Sequence, residues 1–346
     1  MTKKIMVWAI ILTLAGFMNL SAVRHSEAAE KEVVTLTALG AAVGSPPNSV
    51  LLAMTEMWKK YVTEPTPIRV KVEPLIAMAE SFKRLDRKVV DIAWGVNAFA
   101  YYLDKGIGPY AKYGKRVFYA LTWGGKNFVH IFTTDPNIKV FQDLKGKKIS
   151  GKMMGSPSID DIRIKLLGFY QMTDKDIKLI SYSRSSDCLQ QVQEGVTDVC
   201  ITISSFPSAP ITELALVKKI YFVPLNEQEV KEVQKVQPYR KNFVLKAGSY
   251  NGQDKDVSSV GGSDAIFTPL DFNEERAYQM VKAIYDHLDE FHAYHAGAKA
   301  YNLEDFALEM GIWPLHPGSV RYFKEKGVWT DELESKQKEL LKKVQK

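Results

Sequence analysis

Two glycine-bearing stretches are the places where this chain could hold a ligand with its backbone. They are "TALGAAVGSPPNS", Thr37 to Ser49, and "SGKMMGSPSIDDI", Ser150 to Ile162. Each follows a strand-like run and precedes a helix-like one, and backbone N–H groups at such a corner can point at a bound group. The first is not a phosphate loop. Gly40 and Gly44 stand one residue too close for G-x-x-x-x-G-K-[ST], no lysine follows, and G-x-G-x-x-G is absent as well. Gly44 and Ser45 remain as candidate ligand contacts, against a purely structural turn closed by Pro46 and Pro47.

In the second corner Ser156 and Ser158 are candidate contacts, and either could instead be a helix N-cap. Asp160 and Asp161 in the first turn complement the helix dipole and lower that terminus's attraction for an anion. Catalytic signals are poor. The chain has no G-x-S-x-G elbow, no H-E-x-x-H and no Cys–His signature. His292 and His295 share a helix face, but surface histidines explain them better than a metal does. No cofactor, metal or enzymatic activity is expected.

The elements that must position these corners alternate. "VVTLTAL" (33–39) reads as a strand, and Asn48 or Ser49 could cap a helix carrying Leu51, Met54, Trp58 and Tyr61 at helical spacing. "IRVKVEPL" (68–75) is a second strand, 76–88 a helix and "VVDIAW" (89–94) a third strand. A second set starts near "NFVHIFTT" (127–134) and ends with "TDVCITI". "DAIFTPL" (264–270) is a further strand, followed by one long helix from Asp271 with a D-x-x-E capping box at Asp271 and Glu274. Its stripe Ala277, Met280, Ile284, Leu288 and Phe291 is predicted core. The order implies parallel pairing with helices on the faces, in two α/β lobes with a ligand between them at strand C-terminal ends.

The chain has 346 residues, 46% of them apolar and 25% charged, as in an ordinary folded protein. Lys3 and Lys4 precede the apolar run "IMVWAIILTLAGFMNL" and small residues follow. This predicts a signal peptide over 1–28, cleaved after Ala22 or Ala28, with an uncleaved anchor as the other reading. That segment holds three cations and one acid, which lowers the formal +6 to +4 for the mature chain. Acids and bases are interspersed, so no nucleic-acid partner is expected. An extracytoplasmic location would permit a disulfide between Cys188 and Cys200, though two small buried hydrophobes fit as well.

Several segments resemble the TAXI solute-binding proteins, the extracytoplasmic receptors of one branch of TRAP transporters. Ala247, Gly248, Tyr250, Gly252, Gln253, Asp256 and Val257 reproduce that family's A-G-x-Y-x-G-Q-x-x-D-V run. "LHPGSVRYFKEKG" (315–327), "DLKGKKIS" (143–150), "FPSAPITEL" (206–214) and "DIAWGVNAFAYYLDKGIG" (91–108) fit in order, so the likeness spans about 33–328. The resemblance implies a type II periplasmic-binding-protein fold, with residues 29–125 and 248–346 in one lobe and 126–247 in the other. It implies a periplasmic receptor that closes on a small organic acid and delivers it to an ion-driven TRAP permease.

The departures bear on the ligand. The family's hydroxyl-rich first loop is here "GAAVGSPPN", and its Q-S-D after the third strand becomes Val96, Asn97, Ala98. In the second lobe Ser156 and Ser158 keep hydroxyls, and Ser204, Ser205 and Phe206 add two more and a ring. The expected pocket therefore takes a polar group, such as a carboxylate, on Ser156, Ser158, Ser204 and Ser205. An apolar body would lie among Trp94, Phe99, Trp123 and Phe206, with Asn97 nearby. A repacked dicarboxylate pocket, a receptor for an ABC importer or a sensor kinase, a secreted enzyme, and a degenerate partner-binding protein are the alternatives.

Overall fold

The computed structural model describes residues 33–75, 77–303 and 311–345, so the expected signal peptide lies outside the described residues. Strand β1 (Val34–Leu39) leads into helix α1 (Pro46–Tyr61). Its N-cap falls three residues before Asn48, the first of the two expected caps. Ser45 is the N-cap residue and the prolines occupy the first two helical positions, where a missing N–H costs nothing. Leu51, Met54 and Trp58 turn inward as their spacing predicts.

Strand β2 (Ile68–Glu73) and helix α2 (Met78–Asp86) precede β3 (Ile92–Val96), which starts later than the expected 89. Lys88 takes a left-handed φ of 54° and Val89 is exposed, so the turn continues to Asp91. The Asp91 carboxylate accepts from Thr37 N–H at 2.7 Å, and pairing with β1 begins only at Ile92, opposite Ala38. Helix α3 (Asn97–Lys105) follows directly.

Strand β4 (Tyr119–Thr133) is longer than expected because it serves both cores. Ala120, Leu121 and Trp123 belong to one hydrophobic cluster, and Val129, Ile131 and Phe132 to another. The second cluster is built on β5 (Lys148–Met153), α4 (Pro157–Phe169), β6 (Lys178–Tyr182), α5 (Ser185–Gln193), β7 (Val199–Ser205), α6 (Ala209–Val217), β8 (Tyr221–Phe222), α7 (Glu227–Val236) and β9 (Lys241–Leu245). Strand β10 (Val257–Thr268) crosses back. Tyr250, Val257 and Val260, which the sequence-based division puts in the first lobe, pack in this second cluster.

The sheet order is β2-β1-β3-β10-β4-β7-β5-β6. Parallel triplets β2-β1-β3 and β7-β5-β6 are joined through the antiparallel crossing pair β10-β4. The result is a two-lobed α/β fold with two crossing strands. Cys188 on α5 and Cys200 on β7 form a disulfide, the more consequential of the two readings open in the sequence.

The long helix from Asp271 is in fact two, α8 (Glu274–Tyr285) and α9 (Leu288–Tyr294), broken at Asp286 and His287. Asn273, not Asp271, caps α8, accepting from Arg276 N–H at 2.8 Å. The predicted stripe is core all the same, with Ala277, Met280, Ile284 and Phe291 buried and Leu288 packed against them. Helices α10 (Pro317–Glu325) and α11 (Asp331–Leu341) complete the first lobe. Among the described residues no helix is long and apolar enough to cross a membrane.

Candidate functional site

The crossing pair forms the floor between the two cores. Gly262 of β10 faces Asn127 of β4, and Asn127 in turn faces Ser205 of β7. Directly opposed antiparallel residues project on the same face, so Asn127 and Ser205 share the face on which a side chain at Gly262 would lie. Gly262 has no side chain, and a Cβ there would stand 3.3 Å from Asn127 Oδ1 and 3.6 Å from Arg240 Nη1. Asn127 is itself held, its Nδ2 donating to Asp264 Oδ1 at 2.7 Å.

Arg240 is the residue sequence reasoning missed. It sits in the bend between α7 and β9 and is only 3% exposed. Its Nε donates to Gln237 Oε1 at 2.6 Å and its Nη2 to Ser158 Oγ at 3.1 Å. Gln237 Nε2 donates to Ser158 O at 2.7 Å, tying the bend to the first turn of α4. The guanidinium lies 5.5 Å from the ring centre of Tyr239. Its Nη1 has no hydrogen-bond partner. Burial pushes the guanidinium pKa down, but Arg stays protonated in proteins, so a positive charge is buried without an acid bonded to it. Nothing local in "VQPYRKNF" announces this. Its meaning depends on a fold that carries α4 and β10 to it.

Ser158, one of the expected contacts, is therefore in place but committed. It is buried, and its hydroxyl meets Gln237, Arg240 and, at 3.4 Å, Tyr239. Ser156 is the N-cap residue of α4, half-buried, and its side chain makes no capping bond. Asp161, next along α4, accepts from Tyr102 of α3 at 2.5 Å, a contact between elements of the two cores. Burial and this hydrogen bond push the Tyr102 hydroxyl's pKa up, which keeps it a donor. The Tyr101 and Tyr239 rings pack 5.5 Å apart beside it.

Ser204 and Ser205, adjacent in sequence, part company. Ser204 is opposite Phe128, on the other face of the sheet, and its hydroxyl meets His130 Nδ1 at 3.1 Å. His130 Nε2 meets Tyr250 Oη at 3.1 Å, and burial lowers the imidazole pKa to about 4, so the ring is neutral at pH 7. Phe206 joins that aromatic cluster, edge-on to Phe128 at 5.2 Å and to Phe243 at 5.5 Å. Of the four serines expected at the ligand's polar end, Ser204 and Ser205 therefore lie on opposite faces of β7, as the two-residue period of a strand requires.

In the first lobe Asn97 opens α3, is buried, and donates from Nδ2 to Ser263 Oγ at 3.0 Å, while its Oδ1 has no partner. Trp94 is buried with Nε1 likewise unpartnered. Phe99 lies in the first core, edge-on to Tyr102. Trp123 packs in that core too, edge-on to Phe267 at 5.5 Å. Gly44 has a φ of 79° and is exposed, and Ser45 Oγ donates to Ala42 O at 2.6 Å. Ser45 thus spends its hydroxyl on its own turn, and Gly44 supplies the left-handed residue of that turn. Asn48, considered only as a cap, is buried beneath the loop with Oδ1 unpartnered. A Cβ at Gly40 would overlap it.

Two separate α/β cores, a pair of crossing strands and a polar seam between them define the class: a two-lobed α/β protein with buried polar groups at the junction. Within that class, the chain belongs to the NMT1-like family, whose model matches residues 41–327. It is similar to solved structures at low identity. With the periplasmic aliphatic sulphonate binding protein SsuA from Escherichia coli it shares 13% identity over 88% of this chain and 85% of that one, with a TM-score of 0.46. The putative periplasmic sulfonate-binding protein SsuA of an ABC transporter from Methylobacillus flagellatus KT gives 16%, 85%, 78% and 0.46 in the same order. For the substrate binding domain of a putative molybdenum ABC transporter from Clostridium difficile the values are 13%, 76%, 97% and 0.39.

Proposed function

We propose that this protein is an extracytoplasmic solute receptor that closes its two lobes on a small organic acid and hands it to a membrane permease. The observation that carries this is the seam. Two independent cores meet through polar side chains, with Asn97 Oδ1 and Trp94 Nε1 buried and unpartnered beside it. Native proteins satisfy nearly all buried polar atoms, and such orphans at a lobe junction suit a site completed by a ligand. Ligand contacts from both lobes would favour the closed population.

The motif likeness of Ala247 to Val257 and of 315–327 to TAXI receptors supports a TRAP permease as the partner. Ser156 and Ser205 are proposed for the polar end of the ligand, with Ser158 behind them holding Arg240 and with Trp94 and Asn97 on the facing side. The lost Q-S-D triplet leaves an amino acid's ammonium group without its usual acid, which favours a monocarboxylate with an apolar body over glutamate.

Calorimetric titration of the purified protein tests this with benzoate, hexanoate, glutamate and 2-oxoglutarate. Micromolar binding of a monocarboxylate, about −8 kcal/mol, is expected. Micromolar binding of glutamate would overturn the ligand class. No heat and no melting shift with any of a broad set of organic acids would overturn the receptor.

A further inference from the structure

We infer that Arg240 is the charge anchor of the ligand site, taking one oxygen of a ligand's singly charged oxyanion through its free Nη1. The inference rests on the receptor reading above and adds the residue that would read the ligand's charge.

Three of the guanidinium's features point the same way. It is almost fully buried, yet Nε and Nη2 are fixed by Gln237 and Ser158 while Nη1 has no acceptor. The two acids along the seam are bonded elsewhere, Asp161 accepting from Tyr102 and Asp264 from Asn127. The unpartnered Nη1 lies on the Gly262 side, where the crossing strand carries no side chain and a Cβ would stand 3.6 Å from it. A guanidinium held by two of its nitrogens and lacking an acceptor at the third is pre-organised for an oxyanion, because the hydrogen bond is charge-assisted and its direction already set. A purely structural arginine in this place would be expected to spend all its donors on the protein.

Carboxylates and sulfonates share this chemistry, and the experiment separates them. Wild type, Arg240→Met and Arg240→Lys are titrated with benzoate, hexanoate, benzenesulfonate and sulfate, and with benzamide and hexanamide as uncharged counterparts. Unliganded melting temperatures are recorded alongside. The expected result is binding of at least one organic anion to wild type and none of its amide. In Arg240→Met the dissociation constant rises 100-fold or more, and Arg240→Lys recovers part of that loss. The unliganded Arg240→Met protein should melt no lower than wild type, since it loses an uncompensated buried charge.

Equal anion binding by wild type and Arg240→Met would overturn the anchor and leave the receptor standing. So would a melting temperature of Arg240→Met several degrees below wild type, because Arg240 is then a structural residue. Binding of sulfate alone, with none of the three organic anions bound, would reduce the site to a general anion hole and overturn the assignment. Silence of wild type toward every probe would count against the receptor reading itself, and the anchor would fall with it.

Discussion

Tyr102 Oη of α3 donates to Asp161 Oδ2 of α4 at 2.5 Å, and this single hydrogen bond joins a side chain of the first core to the helix that opens the second. The Tyr101–Tyr239 ring contact sits beside it. The two lobes are thus held together by groups that are not themselves candidate ligand contacts. Tyr102→Phe removes the donor and leaves the ring in place. A hydrogen bond to a charged acceptor contributes about 1.5–3 kcal/mol, the lower end applying to a half-buried carboxylate. Ligand affinity should fall by up to about tenfold, and the radius of gyration of the liganded protein from small-angle scattering should rise. An unchanged radius and affinity would mean that this bond does not govern closure.

The opposite facing of Ser204 and Ser205 gives a sharper test, because the two substitutions are chemically identical. Ser204→Ala strips a buried neutral imidazole of one hydrogen-bond partner and should cost about 1–3 kcal/mol of folding stability, with ligand affinity unchanged. Ser205→Ala should leave stability within about 0.5 kcal/mol of wild type and weaken ligand binding. Urea unfolding and calorimetry on both variants check this. The reverse pattern would place Ser204, not Ser205, on the ligand's side.

Much of the fold was legible because it rests on local periodicity. Leu51, Met54 and Trp58 announce α1, the run from Val199 announces a buried strand, and the stripe from Ala277 to Phe291 announces a packed helical face. Boundaries were less so. Two prolines moved the start of α1 back to Pro46, and crossing strands doubled the reach of β4 because one chain segment packs in two cores. The site was legible only in part. A serine at a helix start announces itself, but which face of β7 Ser204 takes depends on its pairing with Phe128. The role of Arg240 depends on Gln237, Ser158 and Gly262, which only tertiary structure brings together.

The Cys188–Cys200 disulfide closes a loop of 12 residues between α5 and β7, inside the second core. Chain-entropy reasoning puts the stabilisation from closing so short a loop at about 3 kcal/mol. Reduction with dithiothreitol should therefore lower the unfolding midpoint of the whole chain, whereas an exposed, unstrapped pair of thiols would leave it unchanged. Cys188→Ala/Cys200→Ala should lie at or below the reduced wild type, since both sulfurs are fully buried and their loss leaves space in the core. A double variant as stable as the oxidised protein would show that the bond contributes nothing to folding.

His130 makes stability depend on pH in a predictable direction. Its folded pKa of about 4 lies below the ordinary 6.5, because burial between Ser204 and Tyr250 disfavours the imidazolium. The unfolded chain therefore takes a proton near pH 6.5 that the folded chain refuses until about pH 4. The contribution is fully present above pH 6.5, fades as pH falls through that window, and amounts to about 3 kcal/mol across it. His316 is also lowered by burial and acts with the same sign, so the measure is a difference between proteins. In urea titrations, wild type should lose more stability than His130→Gln between pH 7 and pH 4.5, though His130→Gln is the less stable at pH 7. Parallel pH profiles for the two proteins would show that His130 is charged, or exchanges with solvent, in the folded state.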